Sequence, residues 1–451
     1  MKNELTRKYG LITAICMVVG TVIGSGIFFR NEAIIGYSGG RIWIGIAAWL
    51  VGGFISLSSA YVFSVLAARY EYVGGLVDYS EALVSKGYGY IFGWFMATMF
   101  YPSLVGILAW VSARFTVELF GWETNQFFSG QTYVLALFYL MTIYVINALS
   151  QKLASKFQVS TTFIKIVPLV FMGLVGTIAG LANGTTVSNF RSDYVRTVVD
   201  YPFLSALLAT IFAYLGWDSV LTINSEIKNS KRNLPIALVA GMLIIMTIYA
   251  LYFVGIFSAA PVQELAPPPI GEGVRGAFVN VFNDIGGTAL FVFIVISCLG
   301  TLNGLIVGGQ RAFYALAVRG QGVKPELFSQ VDKTTNVPHN SAAIFVFMAS
   351  FWMLVFAGNF AGWYGDFNLE LPGLLPIFFL LLLIPIYIMI MVKEKSLGIF
   401  NRFFAPVIAS LGCLFLLRAA IMTQGWMRVL VFGAIFVGFM LAGIFFHRRV
   451  K

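Results

Sequence analysis

Two short glycine-containing stretches interrupt apolar segments of this sequence. The first is Gly24-Ser25-Gly26 in "VVGTVIGSGIFF" (18–29), and the second is Leu215-Gly216-Trp217-Asp218 in "FAYLGWDSV" (212–220). Glycine lowers helix stability at both places, and Asp218 adds a charge that is costly in lipid. Backbone groups released by a break cannot be left unpaired in hydrocarbon, so each break must line a cavity or bind a ligand.

The half-helix ends at the two breaks are expected to have opposite polarity. Unwinding at Gly24–Gly26 frees backbone N–H groups, and these donors with the positive end of the helix dipole favour an anion such as a carboxylate. In the second segment the first half-helix ends near residues 213–215, where free carbonyls favour an ammonium group. The pair of breaks therefore predicts a site for a zwitterion such as an α-amino acid. Taken singly, Gly20 and Gly24 (a GxxxG motif) and Gly216 could instead serve close helix packing.

The composition is that of an all-α integral membrane protein. Of the 451 residues, 59% are hydrophobic and 11% are charged, and the mean hydropathy is +0.87. This excludes a soluble globular protein, and long apolar runs without alternation argue against a β-barrel. We expect the lipid bilayer as environment, and no nucleic acid, metal or cofactor: the +10 charge fits basic loops, and the three cysteines lie in apolar segments. Without a GxxxxGK[ST] motif or a Ser/His/Asp set, we expect neither an ATP-driven pump nor an enzyme.

The apolar runs predict twelve transmembrane helices. They cover about 11–35, 41–68, 87–114, 130–150, 157–182, 202–226, 234–260, 286–316, 341–358, 371–392, 403–422 and 426–446. Of the 29 Lys and Arg residues, 20 fall on the side of the termini, 8 on the opposite side and Lys165 inside a span. This bias predicts cytoplasmic termini in a multi-pass protein.

The breaks fall in helices 1 and 6, the first helix of each of two five-helix units. This position predicts an inverted repeat, with substrate bound at mid-membrane between the broken helices. The chain is then one transporter domain (1–451), made of a first repeat (11–182), a second repeat (202–392) and helices 11–12 (403–446).

Three charged residues in the spans leave alternatives open. Lys165 could snorkel its ammonium to the cytoplasmic face. Asp218 could face the pocket and attract a cationic side chain, or pair within helix 6. Glu226, near the cytoplasmic end of helix 6, could form a gate salt bridge with a basic residue or remain solvated.

Several motifs resemble those of the amino acid–polyamine–organocation superfamily, which has the leucine-transporter fold. They are "GTVIGSGIFF" (20–29), "GGLVDYSEAL" (74–83), "FAYLGWDSV" (212–220), "SEIKNSKRNLPIAL" (225–238) and "GTLNG…RAFYALAVRGQGVKP" (300–325). Helices 1 and 8 are most similar to the L-type amino acid transporters and their bacterial serine/threonine exchanger relatives. "AYLGWD" is more similar to the cationic amino acid transporters, which usually have Phe where Trp217 stands.

The resemblance implies roles for the residues at the first break. Gly24, Ser25 and Gly26 would give amide donors to the substrate carboxylate, with Val22 and Ile23 at the unwound stretch. It also implies that Lys165 lies beside broken helix 1, near where sodium-coupled relatives hold a cation, so that transport would not need sodium.

At the second break the resemblance implies the opposite end of the site. Phe212, Ala213 and Leu215 would offer carbonyls to the amino group, and Phe212 would also be the aromatic gate over the substrate. Many L-type members have glycine where Leu215 stands, so Leu215 argues for smaller substrates if it faces the pocket. The outer loop 115–133 lacks the cysteine that ties animal relatives to a single-span subunit, so we expect a stand-alone protein without a disulfide-linked partner.

The expected function is sodium-independent transport of L-amino acids across the plasma membrane, by exchange of small or medium neutral ones. The rival functions are a proton-coupled or cationic amino acid permease and a polyamine/amino acid antiporter. A sensor or a channel is a more distant alternative, because the tails are short and no filter-like repeat occurs.

Overall fold

A computed structural model describes residues 9–70, 74–122, 129–192, 200–265, 272–332, 334–335, 337–365 and 371–449. In these ranges the only β-structure is an isolated parallel bridge between Tyr9 and Ile227. Eleven of the described helices are long and apolar enough to cross a membrane, and Leu11–Val22 with Gly26–Tyr37 makes the twelfth span. The predicted fold of twelve transmembrane helices is confirmed.

Helices 1 to 6 follow the predicted order. Helix 1 consists of helix 1a (Leu11–Val22) and helix 1b (Gly26–Tyr37). Then come helix 2 (Ile42–Arg69), helix 3 (Lys86–Leu119, with a π-turn at Met96–Phe100), helix 4 (Gly130–Leu149) and helix 5 (Gln151–Ala182). Helix 6 consists of helix 6a (Pro202–Ile211), a 3₁₀ turn (Phe212–Tyr214) and a 3₁₀ segment, helix 6b (Trp217–Glu226).

Helices 7 to 12 complete the bundle. They are helix 7 (Ser230–Ala259), helix 8 (Glu272–Gly309, continued by Ala312–Ala317), helix 9 (His339–Phe360), helix 10 (Leu371–Leu381 and Ile384–Lys393), helix 11 (Phe400–Gln424, beginning with a π-turn) and helix 12 (Trp426–Arg449). Short helices lie in connections at Leu76–Leu83, Thr185–Arg191, Val262–Leu265 and Pro325–Phe328.

Two predicted helix starts differ most from the structure. Helix 5 begins at Gln151, six residues before the predicted start, because the Ser150 hydroxyl caps the amide of Leu153 at 3.2 Å. Such a cap lets a polar first turn be helical. The helix 8 element begins at Glu272 and turns at Asn283 (φ 60°), where we expected a loop to about 285. The carboxylate of Glu32 in helix 1b accepts a hydrogen bond from the Val274 amide at 2.7 Å, which stabilises this early start.

The twelve helices bring the two ends of the described chain to one side of the membrane, which we call the terminal side; the opposite one is the far side. Helices 3 and 6 are the most buried spans, with 94% and 89% of their apolar windows inside the protein, against 17% for helix 12. In helix 1a the residues from Cys16 to Val22 are also buried, so both broken helices lie inside the protein and away from lipid.

Candidate functional site

The break in helix 1 is three residues long. Val22 ends helix 1a, Ile23 has an extended backbone (ψ 98°) and helix 1b starts at Gly26. Ser25 is the N-cap residue of helix 1b, but its side chain caps no amide. The first amides of a helix have no partner within it, so this buried helix start is a place where an anion can bind.

The carbonyls released by helix 1a are held by Lys165 of helix 5. Its fully buried ammonium donates to the carbonyl oxygens of Gly20 (2.7 Å) and Ile23 (2.6 Å). Helix 8 completes the arrangement: the carbonyl of Ser297 and the hydroxyl of Thr301 each lie 3.1 Å from the Lys165 nitrogen. Four oxygens thus surround one cation that the protein itself supplies.

The break in helix 6 is centred on Gly216, whose φ of 105° is a backbone conformation that L side chains rarely adopt. A Cβ on Gly216 would also lie 3.1 Å from the carbonyl oxygen of Thr21 in helix 1a. Two tyrosines hold the chain before the break: Tyr249 donates to the carbonyl of Ala213 (3.0 Å), and Tyr214 donates to that of Trp49 (2.8 Å). The ring centroids of Trp49, Tyr214 and Tyr249 are 5.1–5.8 Å apart.

The two breaks touch each other. A Cβ on Gly26 would lie 2.7 Å from the Cβ of Ala213 and 2.8 Å from its Cα, so only glycine fits there. Just beyond, on the far side, the guanidinium carbon of Arg30 lies 5.7 Å from the ring centroid of Phe212. The start of helix 1b and the end of helix 6a therefore form one continuous surface, with Phe212 at its far-side edge.

Asp218 lies directly after the break, in helix 6b, and is 1% exposed. Its Oδ2 accepts a hydrogen bond from the Tyr101 hydroxyl of helix 3 at 2.8 Å. No described residue hydrogen-bonds its Oδ1. A buried carboxylate with one free oxygen can accept a bond from a ligand.

Glu226 lies apart from the breaks, at the terminal-side end of helix 6b. Its carboxylate is 2% exposed and pairs at 2.7 Å with Arg311, which lies between the two parts of helix 8. The backbone at the same position joins the start of the chain: the Tyr9 amide donates to the Glu226 carbonyl (3.0 Å), and the Lys228 amide donates to that of Tyr9 (2.8 Å). These contacts close the terminal side below the breaks.

The structure brings most of the predicted site residues together. The residues at the touching breaks are Val22, Ile23, Gly24, Ser25, Gly26, Phe212, Ala213 and Leu215, all buried except the half-buried Phe212. Lys165 and Asp218 flank the breaks, and Glu226 does not belong to this group. Within the described ranges, no cluster of three or more His, Cys, Asp or Glu side chains could hold a metal ion.

Sequence reasoning missed the polar partners from helices 7 and 8. Ser297 and Thr301 were foreseeable in part, because they are hydroxyl residues one turn apart in an apolar span. The role of Tyr249 has no local signal, since a buried tyrosine in helix 7 is compatible with simple packing. The contact of Tyr101 with Asp218 has no local signal either, because a buried tyrosine in helix 3 is equally compatible with simple packing.

Comparison with known proteins shows the family to which this chain is similar. Residues 9–449 match the family model described as amino acid permease. The chain is 29% identical to the serine/threonine exchanger SteT of Bacillus subtilis (strain 168) over 78% of each chain. It is 25% identical to the mouse (Mus musculus) b(0,+)-type amino acid transporter 1 over 99% of this chain and 88% of that protein. The human (Homo sapiens) cystine/glutamate transporter is 22% identical over 79% and 70%, respectively.

The family match spans nearly the whole chain, and it includes both broken helices and the helices around them. It agrees with the predicted superfamily and with a transporter in place of an enzyme. The chain therefore belongs to the amino acid permease family, within the amino acid–polyamine–organocation superfamily.

Proposed function

We propose that this protein is a sodium-independent exchanger of small or medium neutral L-amino acids that works by alternating access. The observation that carries the proposal is the contact between Gly26 and Ala213. It joins an uncapped helix start, which suits a carboxylate, to a helix end, which suits an ammonium group. The zwitterionic part common to all α-amino acids would bind there, with Val22–Gly26 on one side and Phe212, Ala213 and Leu215 on the other.

The surroundings of this site support a small neutral amino acid as the substrate. Leu215 and Trp217 are buried beside the break, and the Gly26–Ala213 contact is tight, which favours a small side chain. The name of the bacterial relative, a serine/threonine exchanger, supports the same class. We assign serine- and threonine-sized neutral amino acids as first candidates.

The position of Lys165 supports sodium-independent transport. Its ammonium lies among four oxygens at 2.6–3.1 Å, where it supplies the positive charge that a bound cation would otherwise bring to the helix 1 break. A second cation there would be repelled at short range. The transport cycle would then need no sodium.

Orientation, internal repeats, location and subunit composition are proposed from the sequence. The terminal side would be cytoplasmic, because most Lys and Arg residues fall on it. Residues 11–182 and 202–392 would be the two five-helix repeats, followed by helices 11–12 (403–446). Helices 1 and 6 would swing as gates around a fixed site. The protein would act in the plasma membrane without a disulfide-linked subunit, since the three described cysteines are all buried.

The test is uptake of labelled L-amino acids into proteoliposomes in sodium-free buffer. Vesicles preloaded with unlabelled L-serine should take up labelled amino acid much faster than empty vesicles. With choline as the cation of the sodium-free buffer, replacing choline by sodium should leave the uptake rate unchanged. Equal uptake by loaded and empty vesicles would contradict exchange, and a requirement for sodium would contradict the role of Lys165.

One observation favours a second candidate, a proton-coupled or cationic amino acid permease, to which the polyamine antiporters are related. The free Oδ1 of Asp218 could accept a proton or a cationic side chain. Uptake into empty vesicles driven by an imposed proton gradient, or uptake of L-lysine or a polyamine, would support this candidate over neutral exchange.

A further inference from the structure

We propose that Tyr249 of helix 7 is the positioning residue that limits this carrier to exchange. Its hydroxyl donates to the carbonyl of Ala213 in helix 6 at 3.0 Å, and it lies 3.3 Å from the carbonyl of Val22, the last residue of helix 1a. One side chain thus ties together the ends of both broken helices. This inference rests on the proposed function, because it concerns how an amino acid bound at the breaks controls their movement.

The Tyr249 hydroxyl has one hydrogen for two acceptors. A tyrosine O–H group donates a single hydrogen bond, and backbone carbonyls can only accept. The contact with Ala213 is the shorter one, and Val22 shares the same hydrogen at a longer distance. Lys165 differs, because its ammonium has three hydrogens and binds two carbonyls of helix 1 at the same time. A donor that takes over one of the two carbonyls would therefore leave the Tyr249 hydrogen to the other.

Tyr249 is anchored in a closely packed part of the bundle. Helix 7 lies backbone against backbone on helix 5, since a Cβ on Gly176 would lie 2.6 Å from the carbonyl oxygen of Gly255. The Tyr249 ring is buried, and its centroid lies 5.1 Å from that of Trp49 in helix 2. The hydroxyl can therefore act as a fixed point to which helices 1a and 6a are bound.

The tie joins half-helices that belong to opposite sides of the membrane. Helix 1a follows Tyr9, whose amide donates to the Glu226 carbonyl on the terminal side. The 3₁₀ turn that holds Ala213 begins at Phe212, at the far-side edge of the breaks. If helices 1 and 6 swing as gates, movement of either half separates its carbonyl from the shared hydroxyl. Switching without an amino acid would therefore cost this bond.

The amino group of the substrate can release the tie. The proposed site places the ammonium group at the carbonyls of residues 212–215, where its charge-assisted bonds are about twice as strong as those of a neutral donor. Once the ammonium donates to the Ala213 carbonyl, Tyr249 can give its hydrogen to Val22, and helix 6a is released from helix 7. The loaded carrier would then switch faster than the carrier without an amino acid, which is the property that defines an exchanger.

The test compares uptake of labelled L-serine by empty and by L-serine-preloaded proteoliposomes in sodium-free buffer. Tyr249→Phe removes only the hydroxyl. The ratio of uptake in empty vesicles to uptake in preloaded vesicles should rise about fivefold, the change expected for one neutral hydrogen bond. A merely structural role would lower both rates together and leave the ratio unchanged.

An unchanged ratio in folded Tyr249→Phe, with a wild type that exchanges serine, would overturn the role of Tyr249 and leave the proposed function intact. A wild type without faster uptake in preloaded vesicles would overturn both. The Tm of the purified protein reports folding. If Tyr249→Phe is unstable, para-fluorophenylalanine at this position fills the same space without a donor and should raise the same ratio; failure to do so counts equally against the proposal.

Tyr252→Phe is the matched control. Tyr252 lies one turn later in helix 7 and is buried, and its hydroxyl has no hydrogen-bond partner among the described residues, so the ratio should stay at the wild-type value. Replacement of Tyr249 by para-aminophenylalanine keeps an N–H donor at the same place and should also keep the wild-type ratio. A ratio raised as much by this replacement as by Tyr249→Phe would show that the donor is not what limits switching.

Discussion

The ammonium nitrogen of Lys165 lies 2.6 Å from the carbonyl oxygen of Ile23, at the point where helix 1 unwinds. The same nitrogen also binds the carbonyl of Gly20 at 2.7 Å, so helix 5 is tied to the end of helix 1a on both sides of its last turn. The shape of the break thus depends on one side chain that is 142 residues distant in sequence.

Replacing Lys165 with methionine should abolish exchange. The substitution leaves the carbonyls of Gly20 and Ile23 with fewer donors, and each unsatisfied buried group costs about 1–3 kcal/mol. Exchange in proteoliposomes and the Tm of the purified protein are the measurements. Lys156→Met, on the exposed face of the same helix, is the control and should keep wild-type exchange. Full exchange by Lys165→Met would remove the basis for sodium independence.

Gly26→Ala should lower exchange by tenfold or more, because the added Cβ would lie 2.7 Å from that of Ala213. The double variant Gly26→Ala, Ala213→Gly removes only the side-chain part of this clash, because the Cα of residue 213 would still lie 2.8 Å from the added Cβ, so it should recover only part of the activity. Gly36→Ala in the same half-helix is the control, since its Cβ would contact nothing within 4 Å. Wild-type exchange by Gly26→Ala would show that the contact between the breaks is not needed for binding.

Glu226→Gln should open the terminal side. Breaking a buried ion pair leaves an uncompensated charge at a cost of about 3–5 kcal/mol, less where one partner is partly exposed, as Arg311 is at 17%. A cysteine introduced at Val307 of helix 8, which lines a small terminal-side pocket together with Arg311, should then react faster with an impermeant thiol reagent. Glu118→Gln, from the looser pair with Arg114 at 3.8 Å, should not change the labelling rate. Equal labelling rates of this cysteine in the otherwise wild-type, Glu226→Gln and Glu118→Gln proteins would mean that the Glu226–Arg311 pair is not a gate.

Asp218→Asn should keep most of the neutral exchange, because the amide oxygen can still accept the hydrogen bond from Tyr101. Asp218→Leu should reduce exchange about tenfold, since the buried Tyr101 hydroxyl then loses its acceptor. Tyr101→Phe controls for the loss of that bond alone. Inactive Asp218→Asn, together with wild-type uptake that follows a proton gradient, would support the proton-coupled alternative.

The sequence carried enough information to predict the spans and the two breaks. The apolar runs indicated the helices, and Gly24, Gly26 and Gly216 indicated where helices 1 and 6 unwind. Glycine is informative here because it allows two backbones to approach closely and allows a positive φ. Gly26 against Ala213 and Gly216 at φ 105° are these two cases.

The sequence could not predict which distant side chains serve the breaks. Thr301 and Tyr249 bind backbone carbonyls of helices 1 and 6, and such contacts depend on how helices 7 and 8 rotate in the bundle. Rotation is set by packing against all neighbours, and the one-turn spacing of Ser297 and Thr301 is only a partial local trace of it. The helix start at Glu272 was missed for the same reason, since its stabilising carboxylate belongs to Glu32 in helix 1b.

The most direct measurement is a structure of the protein with a transported amino acid bound, obtained with L-serine or with the best substrate from the uptake panel. We expect density for the ligand between the breaks, with its carboxylate within hydrogen-bond distance of the Gly24–Gly26 amides and its ammonium group facing the carbonyls at Phe212–Leu215. A ligand bound elsewhere while the two breaks stay in contact would contradict it.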